Sequence, residues 1–244
     1  MDEIIERITP GGVTAHLHHR GGTNDGAIAQ GILEVDEYRL ASIHPITGWV
    51  LDIGSHIGTI AIAIALDNPD AKVVAVEALP QNVESIRRNV ELNGLQDRVF
   101  IEGLAATDSR TKSVDITYNY KFVGIGRTGE LVDSEYLSQC RYVGNIFQED
   151  GQHEQASDVV TVPGISLTAI LRKYQIDRVS LLKIDCEGCE YAFFRSKSLD
   201  RIDRIVGEFH DARTFDDLKA LLDKTHIVEQ WTDNNVGLFG AVRR

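Results

Sequence analysis

Three carboxylates and an imidazole stand at the ends of two apolar runs in this 244-residue chain: Asp185 and Glu187 follow Val179 to Ile184, and Glu208 and His210 close the run that begins at Arg204. In an open α/β sheet, side chains at the carboxyl ends of neighbouring strands face one crevice. Such a set can take the proton from a hydroxyl, with His210 as the base because its ordinary pKa lies near neutrality. It can also hold a divalent ion such as Mg2+, with Asp185, Glu208 and His210 as the ligands, although acidic clusters occur without metal as well. His210 has a plainer alternative as a hydrogen-bonding residue at a strand end. Lys183, inside the first run, would neutralise the carboxylates, and Glu190 would orient the helix that follows.

A second feature lies upstream. Val50-Leu51-Asp52-Ile53-Gly54-Ser55-His56-Ile57-Gly58 passes from an apolar strand through a glycine turn into Thr59 to Leu66, which reads as a buried helix. Gly54 and Gly58 remove Cβ atoms where a ligand would lie against the backbone, and the helix start offers unpaired N–H groups. A further strand, Ala71 to Val76, delivers Glu77 nineteen residues after Gly58. A carboxylate at that place accepts hydrogen bonds from ribose hydroxyls. Strand, turn, helix, strand and acid together describe a nucleotide-like pocket.

The elements that would position these groups follow from periodicity and punctuation. Pro80 opens a helix with Val83, Ile86 and Val90 on one face and Asn93-Gly94 at its end; Arg98 to Ile101 is a strand. Residues 107 to 163 show only weak strand-like patterning, and a segment of that length reads as a lid or binding cover. Ser166 caps a helix carrying Leu167, Ile170 and Leu171, and Thr214 opens another with Leu218, Leu221 and Leu222. The last two strands, His226 to Trp231 and Val236 to Val242, are separated by four polar residues. That is enough for an antiparallel hairpin and too short for a parallel crossover. Residues 1 to 47 read as an extension packed on the core.

With a net charge of −12, the chain does not suit a phosphate-tracking nucleic-acid surface. Its residues include no apolar run of membrane-spanning length and no leader-like start, so a cytoplasmic location is the expectation. Three cysteines do not suggest a disulfide framework. Cys186 and Cys189 read as small residues on a buried turn, since zinc would need a second ligand pair and Cys140 is remote. His16, His18 and His19 read as a solvated polar segment.

The segments Asp52 to Gly58, Val76 to Pro80, Asn89 to Asn93 and above all Leu182-Lys183-Ile184-Asp185-Cys186-Glu187-Gly188-Cys189-Glu190 resemble the FkbM family of methyltransferases, from about residue 48 to the C-terminus. Ser55-His56 departs from the Ala-Asn usual in that family. The resemblance implies a class I methyltransferase fold: a Rossmann-like, doubly wound α/β sheet, mostly parallel, with an antiparallel C-terminal hairpin. It implies S-adenosylmethionine as cofactor and O-methylation of a sugar, polyketide or similar small metabolite, as in natural product biosynthesis. On that basis Asp52, Gly54, Ser55, His56, Gly58, Glu77, Ala78, Ala105 and Asp185 are expected to line the cofactor, and Asp185, Glu187, Glu208 and His210 the reaction face. The expected partner is a small hydroxyl-bearing acceptor, with no nucleic acid or membrane, and with homodimer formation open. Two other classes stay in view: an NAD-dependent oxidoreductase, which the glycine turn and Glu77 alone would allow, and a non-catalytic protein that keeps the cofactor fold.

Overall fold

The computed structural model describes residues 2–118, 127–128, 158–209, 212–231 and 237–244. Its centre is a seven-stranded sheet of β3 (Gly48–Ile53), β4 (Ala71–Glu77), β5 (Val99–Gly103), β10 (Val179–Ile184), β11 (Arg204–Phe209), β12 (His226–Gln230) and β13 (Gly237–Arg243), in the order β12-β13-β11-β10-β3-β4-β5. The five strands from β11 to β5 run parallel, and β13 lies antiparallel between β11 and β12. This is the class I methyltransferase sheet with its reversed C-terminal strand, as the short connection required. The connecting residues 232–236 lie outside the described residues.

Alternation along the strands decides which layer each side chain joins. Leu51, Val74, Val76, Leu182 and Ile184 face a layer built from α4 (Leu167–Lys173), α5 (Glu190–Phe194) and α6 (Ala212–Leu222). Val50, Val73, Ala75 and Leu181 face the other layer, which holds α2 (Thr59–Asp67) and α3 (Pro80–Leu92). Both faces are covered, so α2 is buried on all sides, as its alternation of Ile and Ala suggests.

The second layer also contains the N-terminal segment. A hairpin of β1 (Glu3–Ile8) and β2 (Thr14–His19) is followed by α1 (Asp25–Gln30) and a π-helical turn, and Leu17, Leu33, Tyr38 and Leu40 join the cluster of Val50 and Ile60. The hairpin docks through two asparagines one helical turn apart on α3. Asn89 Oδ1 accepts from His18 N (2.6 Å) and Asn93 Oδ1 from His16 N (3.0 Å), while their Nδ2 groups donate to the same residues' carbonyls. The side-chain amides thus stand in for a neighbouring strand and satisfy the exposed edge of β2. His16 and His19 lie on this strand opposite Glu6 and Glu3, and the His18 ring reaches Asp2, so the expected solvated polar segment is an ordered strand.

The lid-like stretch at 107–163 is structured where it is described. β6 (Ala105–Ala106), β7 (Ser113–Tyr118), β8 (Arg127–Thr128) and β9 (Asp158–Ile165) form a small sheet in the order β6-β9-β7-β8. Residues 119–126 and 129–157, the bulk of the expected lid, lie outside the described residues, and Cys140 with them.

One position ties the end of β3 to the end of β10. Gly54 has φ +76°, and a Cβ there would fall 1.7 Å from the carbonyl oxygen of Asp185, at the end of the neighbouring strand β10. Only glycine fits both the backbone angle and the contact. Gly54→Ala should cost about 3 kcal/mol of stability or more, seen as a fall of roughly 6–12 °C in Tm by calorimetry; an unchanged Tm would contradict this packing.

Candidate active site

The turn after β3 is pinned from both sides. Gly54 N and Ser55 N donate to the carbonyl of Val76 (2.9 and 3.1 Å), Ser55 Oγ donates to Asp52 Oδ2 (2.6 Å), and Gly58 N closes the turn on Ser55 O (2.7 Å). His56 and Gly58 both hold positive φ, at +52° and +86°. Glu77 lies directly beneath: its carboxylate accepts from His56 N (2.8 Å), Leu79 N (2.9 Å) and Asn82 Nδ2 (3.2 Å). Burial pushes its pKa up, against the pull of those N–H groups and of His56. An ionised carboxylate has about four acceptor sites; these three bonds leave Glu77 room for one more.

The next strand end carries the charge cluster. Lys183, whose side chain is 4% exposed, donates from Nζ to the carbonyl of Gly54 (2.8 Å) and stands 3.7 Å from Asp52 Oδ1 and 3.9 Å from Asp185 Oδ2. Burial works against its positive charge, but Asp185, Asp52, Glu37 and Glu208 outweigh burial and hold its pKa above the ordinary lysine value. Asp52 is pushed up by complete burial, with Lys183 and Ser55 opposing. Asp185 is 25% exposed, and its Oδ2 accepts from the hydroxyl of Tyr38 (3.0 Å). Burial and the nearby Asp185, Glu208 and Glu37 raise the Tyr38 pKa far above its ordinary value, so this hydroxyl stays a donor.

Tyr38 and Glu37 were not among the residues expected from sequence, and neither was the second contribution of the N-terminal segment. Asp25, fully buried, takes Arg20 through Nε (2.8 Å) and Nη2 (2.7 Å), and its Oδ1 lies 2.9 Å from His56 Nε2. Burial alone would raise the Asp25 pKa, but His56 and Arg20 hold it well below the usual carboxylate range. Arg20 Nη2 also donates to Asn82 Oδ1 (2.8 Å). The chain of contacts Asp25–Arg20–Asn82–Glu77–His56–Asp25 is closed, and it locks the N-terminal segment to the loops that follow β3 and β4. No strand or helix pattern announces Arg20 or Tyr38; the cue within reach was an aromatic directly after two acidic residues, Asp36-Glu37-Tyr38.

The expected residues distribute as follows. Asp52, Asp185 and Glu208 converge on Lys183. Glu187 sits one turn further on in a left-handed conformation, φ +55°, and is half-buried. Glu190 accepts from Cys186 N (3.1 Å) and Gly188 N (3.0 Å), so it shapes the turn ahead of α5. Ala78 is half-buried beside Leu79, and Ala105 is buried next to it in the small cluster with Ile116 and Val162. His210 lies outside the described residues. Among the described residues no group of three or more His, Cys, Asp or Glu side chains stands at metal-holding distances. One expectation is corrected: Cys186 and Cys189, read as two separate space-filling side chains, are joined in a disulfide with their Cα atoms 5.5 Å apart. The two-residue spacing at a tight turn brings the thiols within bonding reach.

Residues 52–236 match the family model described as the methyltransferase FkbM domain. The chain is 23% identical over 198 residues to "Methyltransferase 1" of Beauveria bassiana (strain ARSEF 2860), covering 73% of this chain and 72% of that one. It is 27% identical over 183 residues to the AMB antimetabolite synthetase AmbE of Pseudomonas aeruginosa, covering 67% of this chain and 8% of that much longer protein. Among solved structures, the METTL16 methyltransferase domain is 12% identical with a TM-score of 0.48, covering 98% of this chain and 85% of that chain. The precorrin-6y C5,15-methyltransferase from Geobacter metallireducens GS-15 is 14% identical with a TM-score of 0.43, covering 83% and 85%.

Glu37 generates a pH prediction. Burial and the Asp185 carboxylate, opposed by Lys183, push its pKa from 4.5 to about 7. The folded protein therefore favours the protonated form; that contribution is complete below pH 4.5 and is lost as pH rises through about 7. Glu37→Gln, which mimics the protonated acid, should gain in Tm on the wild type as pH is raised from about 5 to about 8. A difference that is flat or of opposite slope in a pH series of melting curves would refute it.

Proposed function

The chain belongs to the FkbM methyltransferase domain family, and on that premise we propose that it transfers a methyl group from S-adenosylmethionine to a hydroxyl oxygen of a small metabolite. The observation that carries this reading is the meeting of the glycine turn, Glu77 and the Asp185 strand end at the carboxyl edge of the sheet. The residues fit the cofactor. Gly54 and Gly58 shape the turn at positive φ, their bare Cα atoms packed against the Asp185 carbonyl and the Ile86 side chain, Glu77 has an acceptor site to spare, and Asp52 Oδ1, His56 Nδ1 and Thr59 Oγ1 are buried around the turn without hydrogen-bond partners. Asp52, Ser55, His56 and Thr59 would hold the amino-acid end, Glu77 the ribose, and Ala78 and Ala105 the adenine.

When bound, the cofactor supplies a methyl group on a cationic sulfonium, an electrophile strong enough that in-line placement of the acceptor oxygen does most of the work. The protein's remaining task is the acceptor proton. Asp185, partly exposed and held by the Tyr38 hydroxyl, is the carboxylate we place against the acceptor hydroxyl, with Glu208 of the neighbouring strand β11 beside it. As the acceptor oxygen took the methyl group, its proton would pass to the Asp185 carboxylate. An oxygen acceptor, rather than nitrogen or carbon, is supported by this acidic wall and by the absence of an Asn-Pro-Pro-Tyr type of segment after β10, where Asp185-Cys186-Glu187 stands. A small metabolite is supported by the match to an antimetabolite synthetase and by the chain's net charge of −12, which disfavours nucleic acid.

Calorimetric titration with S-adenosylhomocysteine and, separately, with NAD tests the cofactor class; binding of NAD alone would overturn the reading. Glu77→Gln turns an amide N–H2 toward donors that now meet a carboxylate, and should weaken S-adenosylhomocysteine binding by about 2 kcal/mol, roughly thirtyfold. Unchanged affinity in a variant that melts like the wild type would remove Glu77 from the cofactor site.

A further inference from the structure

The turn that follows β10 carries a group that methyl transfer does not use. Cys186 and Cys189 are joined there in a disulfide, their Cα atoms 5.5 Å apart, directly after Asp185 and directly before Glu190. The ring it closes encloses only Glu187 and Gly188, both at positive φ, +55° and +102°. Stabilisation of a whole fold by a crosslink grows with the length of chain enclosed, so a ring this small acts mainly on its own residues. The two cysteines stand in different surroundings. Cys189 is 6% exposed, in the cluster that holds Ile184, Phe193 and Phe194, whereas Cys186 is half-buried. The turn does not rest on the bond alone. The Glu190 carboxylate accepts from Cys186 N (3.1 Å) and Gly188 N (3.0 Å), which keeps the two cysteines near each other whether or not the bond is made.

The same residues back the glycine turn after β3. Asp185 N donates to Ile53 O (3.0 Å), and a Cβ on Gly54 would fall 1.7 Å from the carbonyl oxygen of Asp185 and 3.3 Å from the Cα of Cys186. A residue such as Glu187, with a Cβ of its own, holds a left-handed angle only where its surroundings fix it, and the bond from Cys186 to Cys189 spans it. We propose that Cys186 and Cys189 form a reversible thiol–disulfide switch: the disulfide fixes Glu187 and the Asp185 strand end against the glycine turn in the arrangement that binds the cofactor, and reduction to two thiols relaxes it. The inference rests on the proposed use of S-adenosylmethionine. The step needs a dithiol reductant. One of its thiolates attacks at Cys186, the more exposed of the pair, and the S–S bond breaks with its electron pair passing to the Cys189 sulfur; the second thiolate then attacks the mixed disulfide and frees Cys186. The reductant leaves as a disulfide, its two protons end on the two cysteines, and a disulfide oxidant reverses the exchange. A pair held close by Glu190 and partly open to solvent at Cys186 suits such exchange, where a wholly buried crosslink would be inert.

The test is calorimetric titration of the wild type with S-adenosylhomocysteine after oxidation with glutathione disulfide and after reduction with dithiothreitol, the state of the pair being read by mass spectrometry of the alkylated peptide. The oxidised form should bind about tenfold more tightly, as expected for a site held in its bound shape. The difference should reverse when the redox state is reversed, and circular dichroism should show both forms folded. Cys186→Ser and Cys189→Ser should each bind like the reduced wild type in either medium, while Cys140→Ser should keep the full response. Equal affinity in the two states, a response that disappears in Cys140→Ser, a pair that stays unlinked under oxidation, or reduction that unfolds the chain would each overturn the switch and leave the cofactor reading intact. Wild-type protein that binds S-adenosylhomocysteine in neither state would overturn the cofactor reading and the switch with it.

Discussion

The ammonium of Lys183 is the constraint on which the site depends. It is buried at the meeting of two strand ends, donating to the carbonyl of Gly54 and flanked by Asp52 and Asp185. A charge in that position is tolerable only while its partners stay in place; removing one leaves an uncompensated ion at a cost of several kcal/mol. β3 and β10 therefore cannot separate at their carboxyl ends. The close approach of Gly54 to the Asp185 carbonyl enforces the same geometry sterically. The ligand-facing turn and the proposed reaction wall are thus one rigid unit, held by one charge and one missing Cβ.

Around that unit the N-terminal segment acts as a clasp. Hydrogen bonds from Arg20 and the contact of Asp25 with His56 join it to the glycine turn, Asn82 and Glu77 carry the connection to the end of β4, and Tyr38 reaches Asp185 at the end of β10. These are attachments to three of the loops at the carboxyl edge of the sheet, those after β3, β4 and β10. Each is a buried polar or charged contact, so each is directional, and together they fix the segment's register more firmly than the apolar packing of Leu17 and Leu33 would alone.

The core sheet was legible because its signals are local. Runs such as Val73 to Val76 and Leu181 to Ile184 cannot be satisfied on a surface, and four residues between the last strands leave only a hairpin. Glu77 and Asp185 were legible because strand ends in such a sheet have one place to go. What stayed hidden depends on contacts between residues far apart in the chain. Tyr38 meets Asp185 across 147 positions and Asn89 meets His18 across 71, and neither partner's type or spacing advertises the other. The disulfide escaped for a different reason: Cys186 and Cys189, with two residues between them, sit on a turn whose tightness comes from Gly188 at φ +102° and from Glu190 gathering its N–H groups. Composition arguments about cysteine count do not see that geometry.

The departure at Ser55-His56 from the Ala-Asn usual in the family gains a physical meaning from these contacts. The family match begins at residue 52, whereas Arg20, Asp25, Glu37 and Tyr38 all precede it. His56 is the residue of the turn that reaches back to this segment, through Nε2 to Asp25, while its backbone N–H serves Glu77. An asparagine is too short to span that gap and too weakly basic to help hold Asp25 ionised against complete burial. The substitution in the turn and the acid in the N-terminal segment therefore belong together: a change made inside the common fold is matched by one made outside it.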